Sequence, residues 1–171
     1  MRNVTKILSV LVLGVWITPT ARPAAAGNGQ EAFDKLKSLV GHWEAQPAGE
    51  SKAAMDIQLT GQGSTVMETS HIMEGGKPVE MVTMYYLDGG QLKMTHYCMD
   101  GNQPTMQATY TPETKTLTFD FLGATNLKSP NDGHMHHAVY TFPDNDHLKT
   151  VWTFQKDQKD AFVEEATYVR K

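Results

Sequence analysis

Two short stretches carry side chains able to do chemistry together. His96 and Cys98 form a His-x-Cys pair, and His134 and His136 form a His-x-His pair. Two residues apart on a β-strand, the members of each pair lean to the same side. Zinc and copper favour imidazole and thiolate ligands, and four such groups complete a tetrahedral site. A bound metal would also keep Cys98, the only cysteine of the chain, as a protected thiolate. The same four groups equally suit a metal-free polar patch, because buried cysteine acts as a small hydrophobe and core histidines are ordinarily hydrogen-bonded. A single histidine holding a haem iron is a third reading, while covalent haem is excluded because no Cys-x-x-Cys-His occurs. A thiol–base couple between Cys98 and His96 is disfavoured, since side chains leaning in parallel from one strand lie badly for proton transfer. No Gly-x-Ser-x-Gly, Ser-x-x-Lys, His-Glu-x-x-His or phosphate-cradling glycine loop is present, so the reading leans away from an enzyme.

The pairs must be held by β-structure. After a helix predicted over 31–40, with Phe33, Leu36, Leu39 and Val40 on one stripe and Gly41 ending it, the hydrophobic period changes to two. Strands are expected over 42–46, 55–59, 64–73, 79–87, 91–98, 105–111, 116–122, 134–142, 147–155 and 161–169. Turn residues separate them, with Asp88-Gly89-Gly90 the strongest hairpin signal. Roughly ten strands joined by short hairpins, without any βαβ rhythm, make an antiparallel meander. A meander of that length closes into a barrel, which removes its edges and leaves an interior for one small ligand.

In the strand over 91–98, Leu92 and Met94 mark the inward face and carry His96 and Cys98 with them. In the strand over 134–142, strict alternation puts His134, His136, Ala138, Tyr140 and Phe142 on one face. Glu68 shares a face with Val66 and Ile72, and an edge position is favoured for it over an interior one. Asp120 is expected outside, Asn102 and Asn126 are expected to tie down turns, and Trp43 is expected to close the barrel base. Methionines spread over several strands suit either an adaptable apolar pocket or ordinary core filling.

Residues 1–26 have the three parts of a cleavable secretory signal. Arg2 and Lys6 precede an eleven-residue apolar run over 7–17, followed by Pro19, Pro23 and Ala24-Ala25-Ala26. The run is too short for a membrane span, which needs about 20 residues, so no stable membrane anchor is expected after cleavage. Residues 27–171 then form one domain of 145 residues, periplasmic or secreted. That part carries 12 basic and 19 acidic side chains, net −7, which disfavours nucleic acid and anionic membranes as partners.

The segment 36–44, with its Leu39-Val40-Gly41-His42-Trp43 core, resembles the helix-Gly-x-Trp entry of lipocalin-like barrels. Thr95-His96-Tyr97-Cys98, Gly101-Asn102-Gln103-Pro104, Phe119-Asp120-Phe121, Ala124-Thr125-Asn126-Leu127 and His134-Met135-His136 resemble a bacterial family known as domain of unknown function 1579. That resemblance implies a lipocalin-like barrel and no particular activity. The Leu-x-Gly-x-Trp start and the late histidine-bearing strand are also similar to the nitrobindins, which implies haem as an alternative cofactor. The expectation is therefore an exported all-β barrel binding an apolar or amphipathic small molecule. Its interior patch would be lined by His96, Cys98, His134 and His136 with Met94, Tyr140 and Trp152. The competing expectation is a zinc or copper protein, or a metal-dependent enzyme, using the same His and Cys side chains as ligands.

Overall fold

The structure is a computed structural model and describes residues 28–47 and 53–171. The predicted signal segment lies outside the described residues. Among the described residues one α-helix, α1 (Gly29–Lys37), precedes ten strands: β1 (Gly41–Gln46), β2 (Ala54–Thr60), β3 (Thr65–Glu74), β4 (Lys77–Asp88), β5 (Gln91–Tyr97), β6 (Gln103–Thr111), β7 (Thr116–Thr125), β8 (His134–Thr141), β9 (His147–Lys156) and β10 (Lys159–Arg170). Each strand pairs antiparallel with its sequence neighbours, and β1 pairs with β10 to close the barrel. The closed all-β barrel with one short helix is the fold the alternation and turn chemistry predict.

Local chemistry explains the hairpins. Gly89 and Gly90 both take positive φ, 58° and 79°, the pair of left-handed residues that a two-residue turn matched to strand twist requires. The helix differs from expectation by starting earlier and stopping at Lys37. Its last carbonyls accept from the backbone N–H groups of Ser38, Leu39 and Val40, and the carbonyls just beyond the helix are claimed by side chains. The Trp43 indole N–H donates to Leu39 O at 2.8 Å, and the Arg170 guanidinium donates to Val40 O at 2.7 Å and Ser38 O at 2.9 Å.

The topology gives the barrel two unlike ends. At one, α1 lies across β4, β5 and β6 and buries Ala32, Phe33 and Leu36. Gly29 sits so close to Gly90 and Leu92 that a Cβ there would strike their backbone. Below the helix, Trp43, Leu92, Met94, Met106, Leu117, Phe142 and Leu148 are fully or almost fully buried. Each such side chain contributes about 1.5–3 kcal/mol by leaving water. The other end carries the turns after β3, β5, β7 and β9.

Candidate functional site

β3, β4 and β8 each send one polar side chain to the middle of the barrel. Glu68 follows the inward phase of Val66 and is 4 % exposed; Tyr85 and Tyr140 are 1 % exposed. The Tyr85 hydroxyl donates to Glu68 Oε2 at 2.7 Å and lies 2.8 Å from the Tyr140 hydroxyl. Tyr140 donates to the same carboxyl oxygen at 3.3 Å, and the Ser70 hydroxyl donates to Oε1 at 3.2 Å. Burial pushes the Glu68 carboxyl above the usual range even though three hydroxyls oppose the shift. Burial and the neighbouring carboxyl push both phenols well above theirs, so both stay neutral.

This layer floors a cavity of about 40 Å³. Glu68, Ser70, His96, Thr150 and Tyr168 give it polar walls, and Met55, Met81, Met135 and Trp152 give it apolar ones. His96 enters from β5, directly across from Thr83 of β4, and its Nδ1 lies 2.9 Å from the Thr83 hydroxyl. Its ring packs against Trp152 with centroids 5.1 Å apart. Nε2 has no hydrogen-bond partner among the described residues. Burial pushes the imidazole down to about 4, so it is neutral near pH 7. Ile72, Glu164 and Ala166 line both this cavity and a cleft at the open rim, where Phe162 stacks on Phe154 with centroids 4.7 Å apart.

The structure divides the predicted His/Cys set. His96 alone lines the cavity; Met94 is packed below in the apolar base, Tyr140 belongs to the carboxyl layer and Trp152 forms cavity wall. The predicted shared face of His134, His136, Ala138, Tyr140 and Phe142 is broken. A bulge between Met135 and His137 leaves His136 without a partner on β9. One extra residue reverses the alternation upstream, so Met135, not a histidine, reaches the cavity on the Ala138 face. His134 and His136 instead flank Phe121, each ring centroid 4.7 Å from it. His134 Nδ1 donates to the Asp132 carbonyl at 2.9 Å, which leaves Nε2 to accept from His136 Nδ1 at 3.1 Å. Cys98 lies one residue beyond β5, half-buried in the turn, where Cys98 N donates to Asn102 O and Gly101 N donates to Cys98 O. Burial pushes its thiol above its ordinary value.

Among the described residues no three His, Cys, Asp or Glu side chains gather as ligands for one metal ion. The surroundings of His96 do not fit a haem either. The cavity is far below the roughly 300–1,000 Å³ of an ordinary small-molecule pocket. Glu68 was visible in the sequence as an inward-phase acid, but the favoured edge position fails because a closed barrel has no edge. Nothing local marked Tyr85 and Tyr140 as its partners, 17 and 72 residues away.

Tyr85 bridges Glu68 and Tyr140, so its hydroxyl matters more than Tyr140's. Tyr85→Phe is expected to cost about 1–3 kcal/mol by urea denaturation, with Tyr140→Phe the milder change. Equal effects would mean that the layer is not organised through Tyr85.

No family model matches the chain, and no curated protein matches it. Among solved structures, the crystal structure of Rv2717c from M. tuberculosis is similar, with a TM-score of 0.59 and 14 % identity. The match covers 82 % of this chain and 97 % of that one. Likeness at that identity is a likeness of fold.

Proposed function

We propose that this chain is an exported binding barrel that admits one small amphipathic molecule through its open end and seats its polar end beside His96. The observation that carries the reading is a neutral histidine, 4 % exposed, whose Nε2 is unpartnered beside a cavity with mixed polar and apolar walls. A buried donor or acceptor left without a partner costs about 1–3 kcal/mol, and a ligand that supplies the partner recovers it. The cavity holds only about two or three water-sized groups. The rest of the ligand therefore lies toward the rim, against Ile72, Phe154 and Phe162. Export rests on the three-part N-terminus over 1–26, and membership of the domain-of-unknown-function 1579 family rests on the segments that resemble it.

Native mass spectrometry of protein taken from its own compartment tests this reading. The expected spectrum shows a polypeptide shortened by about 26 residues and a one-to-one small-molecule adduct. Ala166→Phe, which fills the passage between cavity and rim, is expected to lose the adduct and keep the fold. Bare polypeptide alone, in both wild type and variant, would remove the binding function.

A further inference from the structure

The hydrogen bonds around His96 narrow the class of ligand, an inference that rests on the binding-barrel reading. Thr83 is 1 % exposed, and its hydroxyl has one side-chain partner among the described residues, His96 Nδ1. A hydroxyl carries one proton to donate, and a neutral imidazole carries one donor and one acceptor nitrogen. If Nδ1 held the ring proton, the Thr83 proton and the Nε2 lone pair would both go unmatched. If Thr83 donates to Nδ1, every group is matched except one N–H, at Nε2. The second arrangement leaves fewer buried groups unsatisfied and is therefore favoured.

The remaining walls disfavour charge beside Nε2. Among the described residues no lysine or arginine lines the cavity, so a carboxylate or phosphate finds no counter-ion there. Glu164 adds an acidic group at the passage to the rim, which opposes anions further. A cation could pair only with Glu164 at the passage: beside His96 the free imidazole hydrogen repels it, and Glu68 already accepts from Tyr85, Tyr140 and Ser70. Burying a charge without a partner is the costliest arrangement available.

We propose that the ligand presents an uncharged oxygen acceptor, of the ester, ketone or amide type, to the Nε2–H of His96, with an apolar chain running out to the rim between Ile72 and Phe162.

Four probes of equal chain length separate the possibilities: methyl octanoate, octanoate, octylammonium and octane, titrated into the mature protein and followed by tryptophan fluorescence. Methyl octanoate is expected to bind at least about tenfold tighter than the other three, the size of one recovered buried hydrogen bond. His96→Phe is expected to remove that advantage over octane. Nitrogen NMR of wild-type His96 gives an answer that needs no variant, and is expected to show Nε2 protonated and Nδ1 bare. Octanoate or octylammonium binding as tightly as the ester, or a proton on Nδ1, overturns the assignment and leaves the binding barrel standing. Failure of all four probes to bind overturns the binding barrel, and this inference with it.

Discussion

Trp43→Ala is expected to destabilise the barrel by about 3–5 kcal/mol, the range for removing a large aromatic side chain from a core. Trp43 is 0 % exposed and pairs with Arg170 on one side and Met55 on the other, where β1 joins both ends of the sheet. Its indole fixes the Leu39 carbonyl at the helix exit, and the Arg170 guanidinium lies 4.3 Å above its ring. The change therefore empties a cavity, orphans a carbonyl and removes a cation–π contact of about 0.5–2 kcal/mol. Against a typical stability of about 5–15 kcal/mol, that brings the fold near its limit. Trp43→Phe keeps most of the apolar volume and is expected to cost only about 1–2 kcal/mol, mainly the indole hydrogen bond. Urea denaturation of the two variants decides the matter. A loss under about 1 kcal/mol for the alanine variant would mean that Trp43 does not hold the base.

The second large effect is a pair of opposed pH dependences from one cavity. His96 has a pKa pushed down to about 4 in the fold from its ordinary 6.5. The unfolded chain binds the extra proton between those values. The stability His96 contributes is therefore present above pH 6.5 and is lost as pH falls toward 4. The loss amounts to roughly 3 kcal/mol. Glu68 acts in the reverse sense. Its carboxyl is raised above 4.5 by burial, so its contribution is present below pH 4.5 and is lost as pH rises through its folded value. In the wild type the two slopes oppose each other. Glu68→Gln is expected to tip the balance toward the histidine slope, to which His136, also lowered by burial, adds, so that denaturation midpoints rise more steeply from pH 4 to 6.5 than in the wild type. His96→Phe is expected to tip it toward the carboxyl slope, to which Glu164, also raised by burial, adds, so that midpoints fall relative to the wild type as pH rises above 4.5. The hydrogen-bonded carboxylates Asp56, Asp132 and Asp144 are lowered from 3.8, so their contributions disappear only below that window. Slopes that change in the same direction from the wild type in both variants would show that Glu68 and His96 are not buried as ionisable groups.

Much of the fold was legible because its signals are local. Alternation along 91–97 put Leu92, Met94 and His96 inside, and all three are buried. The same rule applied to 134–142 failed. A bulge inserts one residue without any composition signal, and every side chain before it changes face. Cys98 followed the inward phase on paper but fell past the strand end, because the turn to Asn102 takes its backbone. Glu68 was in phase with Val66, and its burial needed only the knowledge that β3 has neighbours on both sides.

Period-two patterning and turn chemistry are written residue by residue, so the sequence by itself determined the strands, their hairpins and the closure of the sheet. Which side chains meet inside was decided only by the tertiary structure. The partnership of Glu68 with Tyr85 and Tyr140, and the separation of His96 from His134 and His136, depend on register and on one bulge. Both are set by how all ten strands fit around a shared core, and no window of neighbouring residues encodes that fit.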